Sequence, residues 1–492
     1  MNTKRLVRMI AMILFLVLGL SLFTGCGKKA KSDIELSAFP DGAYPVRFNG
    51  KWGLVSQSGE VLIDYLYEEC HLPTEGLWAT NLKKTMPLTL NPNWGFVNSQ
   101  NEEVVPPVYT GCLPFSDGLA VVSKGSGCGA VNAAGKIIIP MKYEDLSSYR
   151  CGLMVAKKEG HWGAINSQND VVVEVQYDAI CNNTEGYGDY NSDEERVNNI
   201  CFKDNVAAVK KDDAWGVVDT AGNFVILLSQ VNHDIKIQNN RILTSKDADW
   251  QGCTLYDTLG NVQRDGMKSV LHTTNDALLV KFGEADIRII DWNGNDLVRY
   301  SELLPGDEKL AGWSNWPELG SATESGWFVI PCHSGNSNLV NLQGQRLLPD
   351  FAQLGETTSA GNYIAVNIIK ENGNVEGAVY NTITGQQERT VEGELQIWNP
   401  RCGVIDGTTM LRLSDGERFV FSKVEQENDR VAIVFDEDSA LCGLFVLDSP
   451  AYPTQYDSIR YDADGSLFVL EQGSAETVIR VAVDGAVLQM EA

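Results

Sequence analysis

The stretch KWGLVSQSG at residues 51–59 decides the fold, because close variants of it recur along the chain. In each copy a Trp-Gly or Cys-Gly pair precedes two apolar residues and a polar residue that opens a turn. One motif recurring every few dozen residues is typical of repeat proteins, in which each unit buries its apolar face against a neighbour. The other copies are NWGFVN at 93–98, GCGAVNAAG at 127–135, HWGAIN at 161–166 and AWGVVDTAG at 214–222.

The residues around each copy predict short β-strands. Val- and Ile-rich runs such as 118–124 and 136–140 are bounded by Gly, Asn or Asp, and helical periodicity is nearly absent. Beyond residue 240 the Trp is lost, but strands ending in an Asx-Gly turn continue, as at 289–295. About a dozen units are expected, which exceeds the four to eight blades of a typical propeller.

The sequence therefore predicts an all-β fold of tandem three- to four-stranded repeats, forming one or two β-propeller-like domains. An open β-repeat array is the alternative, because units of about 34 residues supply three strands more easily than four. The predicted domains are a repeat domain at 43–239 and a divergent β-repeat domain at 240–492.

The motifs resemble the WG-repeat proteins, bacterial surface proteins built from tandem Trp-Gly β units. One indole before a Gly that permits close backbone approach suits a stacked core, so we predict a structural role for the pair. An aromatic ring that stacks on sugars is the alternative. Cys128 takes the Trp slot in one repeat, and Cys402 and Cys442 are candidates for the same slot. The motif residues assigned a structural role are Trp52, Gly53, Trp94, Gly95, Cys128, Gly129, Trp162, Gly163, Trp215 and Gly216.

The N-terminus predicts export. Lys4, Arg5 and Arg8 precede an apolar run of about 14 residues, which is shorter than the roughly 20 needed to span a bilayer. FTGC at residues 23–26 resembles the lipobox of bacterial lipoproteins. This resemblance implies removal of a signal peptide at 1–25, lipidation of Cys26, a flexible tether at 26–42 and a location on the bacterial cell surface. An ordinary secretory signal with a chance Cys is the alternative.

Charge argues against nucleic-acid binding. The chain has 65 Asp and Glu against 39 Lys and Arg, for a net charge of −26. Such an acidic protein is repelled by phosphate backbones, and no basic stripe occurs along it. The membrane is expected as a partner only through the lipid anchor.

No metal site, cofactor or catalytic residue is predicted. The five His are far apart and none lies in a metalloprotease motif. DYNSD at 189–193 begins like a calcium loop, but Glu194 and Ile200 stand where the loop requires Gly and Glu. The ten Cys after Cys26 lack the spacing of a zinc ribbon or small disulfide scaffold, so mostly buried thiols are expected, with disulfides in an exported protein as the alternative.

We therefore predict a non-catalytic surface lipoprotein whose repeats form a binding module for a protein or a glycan. A secreted glycan-active hydrolase or lyase built on a propeller is the alternative, and an envelope assembly factor is a weaker third possibility. Surface aromatic candidates for recognition, with core or loop packing as the alternative for each, are Trp313, Trp316, Trp327, Trp398, Tyr187 and Tyr190.

Overall fold

The protein is described from a computed structural model. Its described residues are 43–48, 51–56, 60–81, 93–185, 187–188, 190, 193–283, 285–306, 309–310, 326–426, 428–436, 441–461, 467–481, 485 and 487–489. The predicted signal peptide, Cys26, the tether up to residue 42, Trp313 and Trp316 lie outside these residues, as does most of the calcium-like stretch.

The described strands form eleven sheets, and the strands of each sheet are hydrogen-bonded in chain order and antiparallel. We call each group of up to four strands a unit. Units 1 to 5 cover the motif copies. Their strands are β1 (Tyr44–Phe48), β2 (Lys51–Val55), β3 (Val61–Tyr67); β4 (Glu69–Cys70), β5 (Trp78–Asn81), β6 (Trp94–Val97), β7 (Glu103–Tyr109); β8 (Gly111–Cys112), β9 (Leu119–Lys124), β10 (Gly127–Asn132), β11 (Ile137–Tyr143); β12 (Asp145–Leu146), β13 (Met154–Lys158), β14 (His161–Ile165), β15 (Val171–Tyr177); and β16 (Ala179–Cys181), β17 (Val206–Lys211), β18 (Ala214–Asp219), β19 (Phe224–Ser229).

Units 6 and 7 share the long strand β23, so they form one seven-stranded sheet. Their strands are β20 (Asp234–Gln238), β21 (Arg241–Ser245), β22 (Gln251–Asp257), β23 (Val262–Thr273), β24 (Ala277–Lys281), β25 (Ile287–Asp291) and β26 (Asp296–Arg299). Units 8 to 12 contain β27 (Phe328–Pro331), β28 (Ser337–Val340); β29 (Leu354–Ala360), β30 (Tyr363–Ile369), β31 (Val375–Asn381), β32 (Gln387–Glu392); β33 (Leu395–Asn399), β34 (Cys402–Ile405), β35 (Thr409–Arg412), β36 (Arg418–Val420); β37 (Lys423–Gln426), β38 (Val431–Phe435), β39 (Cys442–Val446), β40 (Ser449–Tyr456); and β41 (Ser458–Tyr461), β42 (Leu467–Gln472), β43 (Ala475–Val481), β44 (Val487–Gln489).

Helical structure is sparse in the described part of the chain. The seven-residue helix α1 (Asp193–Asn199) lies in the insertion of unit 5, and a 3-10 helix (Tyr300–Glu302) follows β26. Among these described residues, no helix is long and apolar enough to cross a bilayer.

The core lies between units. Each of the eleven buried apolar clusters joins two consecutive units, in the way that neighbouring repeats share their apolar faces. The motif side chain points toward the next unit along the chain. Trp94 lies in the cluster between units 2 and 3, Trp162 in that between units 4 and 5, and Trp215 in that between units 5 and 6.

The two ends of the array meet. Arg480 of β43 is buried, and its Nη1 donates a hydrogen bond of 2.6 Å to the Tyr65 hydroxyl of β3. An open array would leave its first and last units apart. The predicted all-β, propeller-like fold is therefore confirmed. The two-domain division stays a prediction; Asn239 and Asn240, at its proposed boundary, form the turn between the paired strands β20 and β21.

Each motif Gly permits a β-bulge. In unit 4, Trp162 pairs with Tyr177 but Ala164 pairs with Val173, so the register shifts across Gly163. A Cβ on Gly163 would lie 2.6 Å from the Val173 carbonyl oxygen, so the strands could not keep this approach.

The same bulge decides which Cys takes the Trp slot. Cys442 lies in the third strand of its unit and is followed by a register shift, and a Cβ on Gly443 would lie 2.5 Å from the Tyr452 carbonyl oxygen. Cys402 instead lies in the second strand of its unit. The prediction that Cys402 occupies the Trp slot is wrong, because a Cys-Gly pair does not by itself specify strand position.

Candidate functional site

The loops between the first and second strands of units 2, 3 and 4 lie side by side. These loops are residues 71–77, 113–118 and 147–153. The Ser116 hydroxyl donates to the Tyr149 carbonyl oxygen at 2.9 Å, which links the second loop to the third. Adjacent repeats thus present one continuous loop surface, where functional groups of repeat proteins usually lie.

Each of the three loops ends in the same tight turn. Glu75, Asp117 and Cys151 adopt positive φ and each is followed by a Gly that also has positive φ. Such a left-handed pair is costly for most residues but not for Gly. The Glu75 carboxylate accepts a hydrogen bond of 2.9 Å from the backbone N–H of Gly118, which links the first loop to the second.

Helix α1 extends from unit 5 toward unit 4. Arg196 forms an ion pair with Asp145 at 2.8 Å, and Arg150 donates to the Asn198 side-chain oxygen at 2.9 Å. The buried Asn182 amide donates to the Asn198 and Asn199 carbonyl oxygens, which caps the C-terminal end of the helix. The insertion is therefore held at its base and against the neighbouring repeat.

A cleft, which we call the α1 cleft, lies between α1 and the loops of units 2 to 4. It contains two adjoining cavities, of about 280 Å³ and about 300 Å³, which we label the outer and the inner cavity respectively, and His71 and Leu113 line both. The outer cavity is also lined by Leu72, Phe115, Ser148, Arg150 and Val197. The inner cavity is also lined by Trp94, Cys112, Val121, Ser123, Cys128 and Arg196.

An aromatic pair forms one wall. The His71 ring stacks on the Trp94 indole at 4.8 Å between centroids, with 24° between the planes. The Trp78 indole N–H donates to the His71 carbonyl oxygen at 2.8 Å and fixes the start of the loop. This wall offers flat apolar surface beside polar groups, a combination common in ligand sites.

The inner cavity opens where unit 3 lacks the motif Trp. Cys128 pairs across the sheet with Ser123, and their Sγ and Oγ atoms are 3.3 Å apart. In units 2, 4 and 5 a Trp faces a larger residue. The pairs are Trp94 with Asn81, Trp162 with Lys157 and Trp215 with Lys210, and each Lys ammonium lies over the indole, at 5.3 and 6.0 Å respectively.

Unit 11 fills the equivalent space in another way. Cys442 also stands in the Trp slot, but its cross-strand partner is Phe435, so an aromatic ring enters from the opposite strand. Among the motif units that the structure describes, only unit 3 places small side chains at both positions.

The family comparison agrees with this repeat pattern. A family model described as "WG containing repeat" matches residues 52–81, 94–128, 129–161 and 162–191. Residues 52–191 carry WG repeats. Each matched segment begins at a motif Trp or directly after Cys128. No curated protein matches the chain.

Solved structures resemble the chain only remotely. One described as "Crystal structure of the eukaryotic initiation factor" is 10% identical with a TM-score of 0.35, covering 71% of this chain and 95% of that one. Hsv2 of Kluyveromyces lactis is 12% identical with a TM-score of 0.23, covering 55% and 94%. A "Dos1 propeller" is 10% identical with a TM-score of 0.24, covering 56% and 88%. Likenesses this weak carry no argument about function.

The aromatic residues predicted from sequence lie in different settings. In the WG repeats Trp52 is half-buried, whereas Trp94 and Trp162 are buried, as is Trp215 in the fifth copy. Trp327 and Trp398 are buried and donate to the carbonyl oxygens of Thr382 and Asn428. The prediction of a surface role for these two is wrong, because both indoles complete clusters between units.

The two insertion tyrosines also pack inward. Tyr187 and Tyr190 are half-buried and meet edge to face at 6.1 Å. Tyr187 also lies edge to face with Trp215 of the fifth copy, again at 6.1 Å. Both pack against the cluster between units 4 and 5, and Tyr187 also packs against that between units 5 and 6.

His71, Arg150 and Arg196 were not predicted from the sequence. His71 directly follows a two-residue strand, and Arg196 lies in a helix that is too short to show an apolar period. The spacing of either residue gives no signal. Their shared site arises because units 2 to 5 are adjacent in space.

Burial affects two thiols in or beside the cleft. Burial raises the pKa of the Cys112 thiol, so this thiol is neutral at physiological pH and a poor nucleophile. Burial also raises the pKa of Cys201, although the nearby Arg150 guanidinium opposes that shift. Within the described residues, no three His, Cys, Asp or Glu side chains are grouped to hold a metal ion.

Replacing Arg196 by alanine is expected to loosen α1 without unfolding the protein. The Arg196 and Asp145 side chains are about 30% exposed, and such ion pairs contribute roughly 0.2 to 1 kcal/mol. Amide hydrogen exchange should accelerate in residues 193–201, while the free energy of unfolding changes by less than about 1 kcal/mol. Arg299→Ala, which removes an ion pair with Asp296 outside the cleft, is the control and should leave α1 exchange unchanged. Unchanged exchange in Arg196→Ala would contradict the assignment.

Proposed function

We propose that this protein is a non-catalytic binding module, held on the bacterial cell surface by a lipid on Cys26, and that it engages a protein or glycan ligand in the α1 cleft. One observation carries the proposal: loops of three consecutive units and a helix from a fourth converge on two adjoining cavities. Ligand sites are concave, largely apolar and carry a few placed polar groups.

The charge of the cleft differs from that of the whole chain. Arg150 and Arg196 both line it, although the chain carries a net charge of −26. Arg196 is paired with Asp145, so the inner cavity presents a dipole, whereas Arg150 bonds to the neutral Asn198. Arg150 therefore favours an acidic or hydroxyl-rich ligand group at the outer cavity.

Binding is tested with purified residues 27–492 on glycan and peptide arrays, with detection of any product. Arg150→Ala should lower the affinity for each genuine ligand at least tenfold. Arg460→Ala removes an exposed guanidinium that is paired with Glu471 in unit 12, and it should not change binding. Ligands that bind Arg150→Ala and the unmodified protein equally would contradict the site. Release of product from a glycan would favour the hydrolase or lyase alternative.

Lipidation of Cys26 is a separate prediction, supported by the basic, apolar and FTGC segments of residues 4–26. Cells that express the full chain are grown with labelled palmitate. The unmodified protein and a Cys70→Ser control should carry the label, whereas Cys26→Ser should not. A single acyl chain binds membranes only weakly, so stable anchoring requires more than one chain. Equal labelling of Cys26→Ser would exclude Cys26 as the lipidated residue.

A further inference from the structure

We infer that the inner cavity of the α1 cleft binds a planar aromatic ring of about indole size. The inference rests on the proposed function, because it names the chemical class that the cleft accepts. Its basis is a comparison of repeats within this chain.

The motif slot is built to hold an aromatic ring. Trp94, Trp162 and Trp215 fill it with an indole that contacts the following unit. In unit 11 the slot holds Cys442 in place of a Trp, and Phe435 on the neighbouring strand lies opposite Cys442 and supplies an aromatic ring. Unit 3 retains the surrounding strands and bulge but supplies only Ser123 and Cys128.

The space left in unit 3 is open rather than collapsed. A cavity of about 300 Å³ that is open to solvent lies beside Ser123 and Cys128. Its neighbours keep it open. Trp94 is packed into the cluster between units 2 and 3, and Leu146 into that between units 3 and 4.

The walls match the faces and edges of an aromatic ring. The His71 and Trp94 pair offers aromatic surface for edge-to-face or offset contacts. The Cys112 and Cys128 sulfur atoms are polarisable and pack well against rings. At the polar side, Ser123 and the Asp145 carboxylate can accept a hydrogen bond from a ring N–H or O–H.

The test uses ¹⁹F NMR of 5-fluoroindole with the chain of residues 27–492. Saturable line broadening is expected with the unmodified protein. Cys128→Trp supplies the ring that the slot lacks, and Ser123→Phe copies the solution found in unit 11. Both should weaken binding at least tenfold, and thermal melting establishes that each variant is folded.

A matched variant in unit 11 serves as the control. Cys442→Trp makes the same Cys-to-Trp exchange in the equivalent slot of unit 11, outside the α1 cleft, and should retain binding. A second probe, the N-acetyl amide of 5-fluorotryptophan, separates two sources of the ring: stronger binding of the amide supports an aromatic side chain of a peptide, and stronger binding of free fluoroindole supports a small molecule.

Absence of saturable binding of both probes to the unmodified protein would overturn the inference. Equal binding to the unmodified protein and to both filled variants would also overturn it. The inference can fail while the proposed function holds. An array ligand that is weakened by Arg150→Ala but not by Cys128→Trp would leave the cleft as the binding site and remove the aromatic ring as its ligand.

Discussion

Replacing Gly163 by alanine is expected to lower the free energy of unfolding by about 3 kcal/mol, the upper end of the range for overpacking a core. The new Cβ would lie 2.6 Å from the Val173 carbonyl oxygen and 2.8 Å from the Val175 Cα. Both are backbone atoms, so no side-chain rotation relieves the clash. The bulge must open, and that displaces Trp162 from the cluster between units 4 and 5.

A matched control is available in the neighbouring unit. Gly111 also lies in a strand, but the nearest atoms to a Cβ there belong to Ser123 at 3.9 Å, an ordinary contact. Gly111→Ala should change the free energy of unfolding by less than about 1 kcal/mol. Urea unfolding followed by circular dichroism measures both variants. Equal stabilities for the two would show that close approach is not why Gly follows Trp.

The fold could be predicted because its signals are local. In units 2, 4 and 5 the Trp-Gly pair marks the bulged third strand, and the Asx residue after it marks the turn. In the divergent part of the chain the Asp291 carboxylate accepts from the backbone N–H of Asn293 and Asn295, both at 2.8 Å. Asn132 accepts in the same way within a motif unit. One turn chemistry therefore persists after the Trp is lost.

The site could not be predicted because it depends on contacts between units. His71 of unit 2 and Arg196 of unit 5 line one cavity only because the array places their loops side by side. The seven residues of α1 carry no apolar period, and the helix is held by Asp145 and Arg150 of another unit. The Cys128 substitution was visible in the sequence. Its consequence depended on Ser123, which stands opposite it on the neighbouring strand.

Raising the pH above about 10 is expected to unfold the protein steeply. Cys253 and Cys402 are 1% and 0% exposed, and burial raises the pKa of each thiol to about 12. In the unfolded chain these thiols ionise near their ordinary pKa of about 8.5 to 9. The folded-state values are raised, so the stabilisation is complete below pH 8.5 and is lost as the pH rises toward 12.

The expected size of the loss follows from proton linkage. Near pH 11, about two pH units above the pKa of a thiol in the unfolded chain, each thiol lowers the free energy of unfolding by roughly 2.7 kcal/mol. The reason is that the unfolded chain has released a proton that the folded chain retains. Two thiols then remove about 5 kcal/mol, which equals the whole stability of many proteins. Buried phenols add to this above pH 10, because burial also raises the pKa of Tyr67 and Tyr300.

Urea unfolding under reducing conditions at pH 8, 9, 10 and 11 measures this dependence, and its slope gives the number of protons released. In the double variant Cys253→Ala, Cys402→Ala, the number of protons released on unfolding between pH 9.5 and 11 should be smaller by about two than in the unmodified protein. It is also expected to be less stable at pH 8, because each truncation leaves a small cavity in a cluster between units. A slope near zero from pH 8 to 11 in the unmodified protein would mean that these thiols are accessible to water, and the packing of units 6, 7, 10 and 11 would then differ from that described.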